Sequence, residues 1–106
     1  MSKQLPKAVN QFRKRHPQVW KAFNELGEHC HEAGPLDEKS RRLVKLAMSI
    51  GAGLEGATHS AVRNARKTGI TAEEIDHVAV LAISTLGLPA ATRAMAWIAD
   101  DLRRAK

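Results

Sequence analysis

Glu55-Gly-Ala-Thr-His-Ser-Ala-Val-Arg-Asn-Ala-Arg-Lys-Thr-Gly-Ile-Thr-Ala-Glu-Glu-Ile75 holds the end of one helix and the start of the next. Thr71-Ala-Glu-Glu74 is a capping box, in which the Thr71 hydroxyl meets the Glu74 amide and the Glu74 carboxylate reaches back to the Thr71 amide. Gly69, two residues earlier, suits the left-handed position just past a helix C-terminus, so a helix from about Leu54 to Thr68 closes there. The capped helix then runs through the nearly unbroken apolar stretch Ile75 to Leu86, which reads as the buried central element.

The same punctuation continues outward. Gly87 and Pro89 form the next break, and a last helix from Ala90 to about Arg104 carries Ala94, Met95, Trp97, Ile98 and Leu102. Toward the N-terminus, Asp37 is the expected N-cap of a helix with Leu43, Leu46, Ala47 and Ile50 on one side and Arg41, Arg42 and Lys45 on the other. Before it, Pro17 fits the first turn of a helix through Glu32, where a missing N–H is harmless. Val19, Ala22, Phe23, Leu26 and Cys30 make its apolar face, and Gly34-Pro35 ends it. No stretch alternates like a strand. The expectation is an all-α bundle of five or six helices, with a basic arm or helix over residues 1–15 and a helical domain over 16–106.

Composition narrows the function. The chain has 106 residues and a formal charge of +6, which first suggests a nucleic-acid partner. All of that excess sits in the first 24 residues, which hold six cations and no acid, while Glu25 to Lys106 carries eleven of each sign. With no RNP-like or zinc-finger signature, nucleic acid is a poor partner, and such binding would fall steeply with salt and vanish without residues 1–15. No apolar run approaches the roughly 18 residues a membrane span needs. With no signal-peptide core, a cytoplasmic location is the default. One cysteine forbids an intrachain disulfide or CxxC site. His29-Cys30-His31 resembles a metal cluster only on paper, because neighbours on a helix point about 100° apart; Cys30 is expected as a small buried hydrophobe. There is no glycine-rich phosphate loop, HExxH or GxSxG, so neither a cofactor nor a metal is expected.

Glu55 and His59 stand four apart and share a helix face. A carboxylate beside an imidazole can set its tautomer and raise its pKa, as a general acid or base requires. Pairs of this kind also arise as ordinary surface contacts. His77, inside the most apolar helix, is a supporting catalytic candidate if it converges with that pair, and otherwise a core or interface histidine.

From about residue 12 to 104 the chain resembles the carboxymuconolactone decarboxylase and alkylhydroperoxidase D-like family. The likeness rests on Gly34-Pro-Leu-Asp-Glu-Lys-Ser-Arg-Arg-Leu-Val-Lys-Leu-Ala47, on the stretch 55–75, and on the apolar run through Leu86-Gly-Leu-Pro89 into Ala94. It implies an alkylhydroperoxidase D-like bundle that assembles with itself, commonly as a trimer or hexamer. The peroxidase branch needs two cysteines, a histidine and a glutamate, and those positions fall here on Leu54, Ala57, Ala61 and Arg42. Without a thiolate and a resolving thiol, thiol peroxidase chemistry is disfavoured. In the decarboxylase branch, the Glu-x-x-x-His pair falls on Ala57 and Ala61. The pair here lies two residues earlier, rotated about 200° around the helix. The pattern is closest to a cysteine-less subgroup with Glu-Gly-Ala-x-His-Ser. The resulting expectation is acid–base, lyase-like chemistry on a small carboxylated or lactone-like molecule. Glu55, His59 and His77 would be catalytic, and Arg42 or Arg63 would hold a substrate carboxylate. The competing expectation is an oligomeric binding or scaffold protein that kept the fold and lost the chemistry.

Overall fold

Local signals in the sequence become helix boundaries almost residue for residue. The computed structural model describes residues 6–104; residues 1–5 of the expected basic arm, Lys3 among them, lie outside the described residues. Six helices follow one another, and no strand forms among the described residues: α1 (Lys7–Arg15), α2 (Pro17–Glu32), α3 (Glu38–Gly51), α4 (Glu55–Lys67), α5 (Ala72–Leu86) and α6 (Leu88–Arg104). No helix among them is long and apolar enough to cross a membrane. The chain divides at Pro35 into two units.

The first unit holds α1 and α2. Pro17 disfavours helical geometry at the residue before it, and His16 has φ −134°, ψ 66°. The helix therefore breaks at His16 and restarts with Pro17 in its first turn. Phe12 meets Trp20 edge-on with ring centroids 6.0 Å apart, and Trp20 is followed at 6.2 Å by Phe23. The expected burial of Cys30 does not occur: it is exposed, and Val19, Phe23 and Leu26 on the same stripe are more than half exposed. Within this unit the only second layer is α1, a nine-residue helix that buries none of its own side chains.

The second unit is built from α3 to α6. Asp37 caps α3 by accepting from the Ser40 amide at 2.7 Å, and that hydrogen bond is the main reason its carboxyl is held below the usual range. At the far end of α4, the Ile70 amide bonds the Ala65 carbonyl and the Gly69 amide bonds the Arg66 carbonyl, both at 3.1 Å. This is the Schellman arrangement, and it requires the left-handed φ of +88° that Gly69 adopts. The Thr71–Glu74 capping box is present in both directions, and Glu74 also pairs with Lys39 of α3.

Each helix contributes a stripe at 3- and 4-residue spacing: Leu46 and Ile50 from α3, Val62 and Ala65 from α4, Ile75, Ala79 and Ala82 from α5, and Ala91, Ala94 and Ile98 from α6. Two expectations need correction here. The apolar helix α5 is not buried all round: Val80, Leu81, Ile83 and Leu86 are between 37% and 56% exposed, because only its alanine-bearing side faces the other helices. The last helix also begins two residues early, at Leu88, since Pro89 is tolerated in a first turn where no N–H is needed.

Candidate active site

Helix α4 opens at Leu54, whose side chain makes no cap, and places Glu55 in the first turn, where a negative charge suits the helix dipole. One turn later comes His59. Its Nε2 lies 3.1 Å from Glu55 Oε2, so the pair expected from the spacing forms. The other ring nitrogen, Nδ1, lies 2.6 Å from Oδ2 of Asp101 on α6, in the short range of a charge-assisted hydrogen bond. Side-chain exposure rises along the line, from 2% at Asp101 through 20% at His59 to 61% at Glu55.

Two carboxylates on one imidazole favour its doubly protonated form. A neutral ring can donate to only one of them and turns a lone pair toward the other; an imidazolium donates to both. Partial burial is the largest single influence and opposes the charge. The hydrogen bonds to Asp101 and then Glu55, with the charges of both, outweigh it, and His59 titrates above its ordinary value. The carboxylates take opposite ring nitrogens and so diverge, and no group of three or more His, Cys, Asp and Glu among the described residues could hold a metal ion.

Asp101 escaped the sequence reading, although a signal for it exists. Ala91, Ala94, Ile98 and Asp101 continue a single 3-4-3 stripe, so an acid stands where the pattern demands an apolar residue, and a buried acid requires a partner. Trp97, one turn before Asp101, is by pattern alone no more than an apolar position of the last helix. In the fold its ring centroid is 6.4 Å from that of His59, tilted by 54°. The guanidinium carbon of Arg93, a turn earlier again, is 5.1 Å from the Trp97 ring centroid.

The remaining sequence candidates are dispersed. His77 is exposed on α5 and lines, with Glu74, an apolar groove of about 520 Å³ between α3 and α5; Glu55, His59 and Asp101 do not line that groove. Arg42 is engaged by Glu38, Nε to Oε2 at 2.8 Å on the same helix. Arg63 is half-buried one turn beyond His59 on α4. The one cysteine lies on α2 in the first unit, while Leu54 and Ala57 stand at the start of α4.

Comparison with known sequences fits this picture. No curated protein matches the chain. The model of the carboxymuconolactone decarboxylase family matches residues 17–100, a span that includes α2 to α5 and most of α6. With the helical order, the capped α4–α5 turn and this match over most of its length, the chain belongs to the carboxymuconolactone decarboxylase family.

Proposed function

We propose that the chain is an acid–base, lyase-like enzyme acting on a small carboxylated or lactone-like molecule, with His59 as the proton-transferring group. The observation that carries this reading is the pair of carboxylates on the two ring nitrogens of His59. Asp101, buried and fixed by α6, accepts from Nδ1–H and holds the tautomer that leaves Nε2 for exchange with substrate. Glu55 is the mobile member: exposed on the first turn of α4, it can swing away when a substrate atom takes its place, or accept the proton that Nε2 releases. The raised pKa of His59 strengthens the ring's hold on the proton that a general acid delivers to a carbanion or enolate left after bond cleavage.

Incubating the protein in D₂O with a panel of small carboxylic acids and lactones tests this across the whole substrate class. Deuterium entering at carbon, or loss of a carboxyl group, is read by NMR. His59→Ala leaves Asp101 buried without a partner, so His59→Gln, which still offers Asp101 an N–H, is run beside it. Either variant should slow the reaction by about 10²–10⁴-fold. A natural rate in folded His59→Gln would remove His59 from the chemistry.

The second reading is a non-catalytic oligomeric binding protein. It is favoured by the apolar α3–α5 groove, which lies on residues other than the His59 group. It predicts no deuterium incorporation with any member of the panel.

A further inference from the structure

A cation from the neighbouring helix reaches the entry of α4, at Gly53, two residues before Glu55. Arg93 precedes Trp97 by one turn on α6, as Glu55 precedes His59 by one turn on α4. Its guanidinium stands over the Trp97 ring, and Trp97 stands beside His59. Its second contact is Gly53, at the entry to α4. A β carbon at that position would come within 3.0 Å of Arg93 Nη2, so the glycine leaves room that the guanidinium fills. Gly53 also has φ +71°, a conformation other residues adopt at a cost.

Arg93 is thus packed against a ring and a backbone, yet it donates a hydrogen bond to no acceptor among the described residues. Lys39, Arg42 and Arg103 each pair with a carboxylate. A guanidinium held in this way presents its fork of N–H donors to incoming molecules, and a carboxylate is the planar two-acceptor group that matches it. The charge balance points the same way. Glu55 and Asp101 together outweigh one imidazolium, so an anionic substrate approaching His59 would be repelled unless a further cation offset that charge.

We infer that Arg93, held between Trp97 and Gly53, anchors the carboxylate of a small anionic substrate on the Glu55 side of His59. In this reading the contact comes from Arg93 rather than from Arg42, which is engaged by Glu38, or from Arg63, which lies one turn beyond His59 on the opposite side from Glu55. The catalytic meaning of this anchor rests on the acid–base reading of His59; the binding itself does not.

The test uses the full chain carrying Trp20→Phe, which leaves Trp97 as its one indole, with succinate as probe and succinamide as the uncharged control. Binding is followed by Trp97 fluorescence and by the NMR shifts of the His59 ring. Succinate should give a saturable response that succinamide lacks. Arg93→Gln should weaken it about ten-fold. Arg93→Lys, which keeps the charge and the aliphatic stem, should lose less, and Arg42→Gln should bind as the natural chain does. No saturable response to succinate, equal affinity in Arg93→Gln, or equal binding of succinamide would overturn the inference. A natural rate of deuterium incorporation in His59→Gln, with the Arg93 dependence intact, would instead remove the acid–base reading and leave the anchor standing.

Discussion

His59 couples chemistry to folding through the proton it holds between Asp101 and Glu55. Its folded-state pKa lies above the ordinary value of 6.5, so the folded chain binds that proton more tightly than the unfolded chain does. The stability it contributes is therefore fully present below about pH 6.5 and is lost as pH rises through the folded-state value. Asp101→Asn removes the stronger of the two carboxylate interactions. In that variant the His59 pKa should fall, and the loss of stability on passing from mildly acidic to alkaline solution should shrink. NMR titration of the His59 ring and urea midpoints across that range measure both; an unchanged titration would mean that Asp101 does not set the proton affinity. Glu55 and His59 were legible as a pair because an i,i+4 relation is fixed by helix geometry alone. Asp101, 42 residues further on, joins them only through the packing of α6 on α4.

At the scale of elements, the α4–α5 turn is the most strongly specified part of the chain. A Schellman closure at Gly69 and a capping box at Thr71 stand two residues apart, leaving Ile70 to bury its side chain between them. Each device satisfies amides or carbonyls that a helix end leaves open. Thr71→Ala should lower stability by about 1 kcal/mol, read as a lower urea midpoint, with faster amide exchange confined to the first turn of α5. Faster exchange spread over the whole helix would mean that the cap does more than close one end. Element boundaries were legible because such devices are local. Burial was less so. Along α5 large apolar residues occur on all sides, so periodicity does not say which side turns inward; the structure buries the small Ala79 and Ala82 and leaves Leu81 and Leu86 outside. Cys30 differs from expectation for a related reason: an apolar stripe states what a helix could bury, not what lies opposite it.

For the whole molecule, the exposed Leu81 and Leu86 of α5 and Val44 of α3 line one apolar groove, a surface of the kind that marks an interaction site. We propose that it is covered by further copies of the chain. Light scattering on a sizing column should then give an oligomer, and Leu81→Glu should shift it toward the monomer while helical content by circular dichroism stays the same. Leu81 is 56% exposed in the single chain, so the change should alter the stability of one subunit by no more than about 0.5 kcal/mol. A natural chain that remains monomeric at all concentrations tested would overturn the proposal.

The order of the helices and most of their ends can be read from the chain alone, because caps, prolines and glycines act on the few residues around them. So can the Glu55–His59 pair and the absence of a cysteine pair. The packing of the helices is what lets Asp101 complete the His59 group, sets Trp97 beside it with Arg93 over the Trp97 ring, and leaves His77 on a different surface. Those relations depend on how far one helix is rotated and shifted against another. That is set by the side chains of all four packed helices at once, and no short window of sequence contains it.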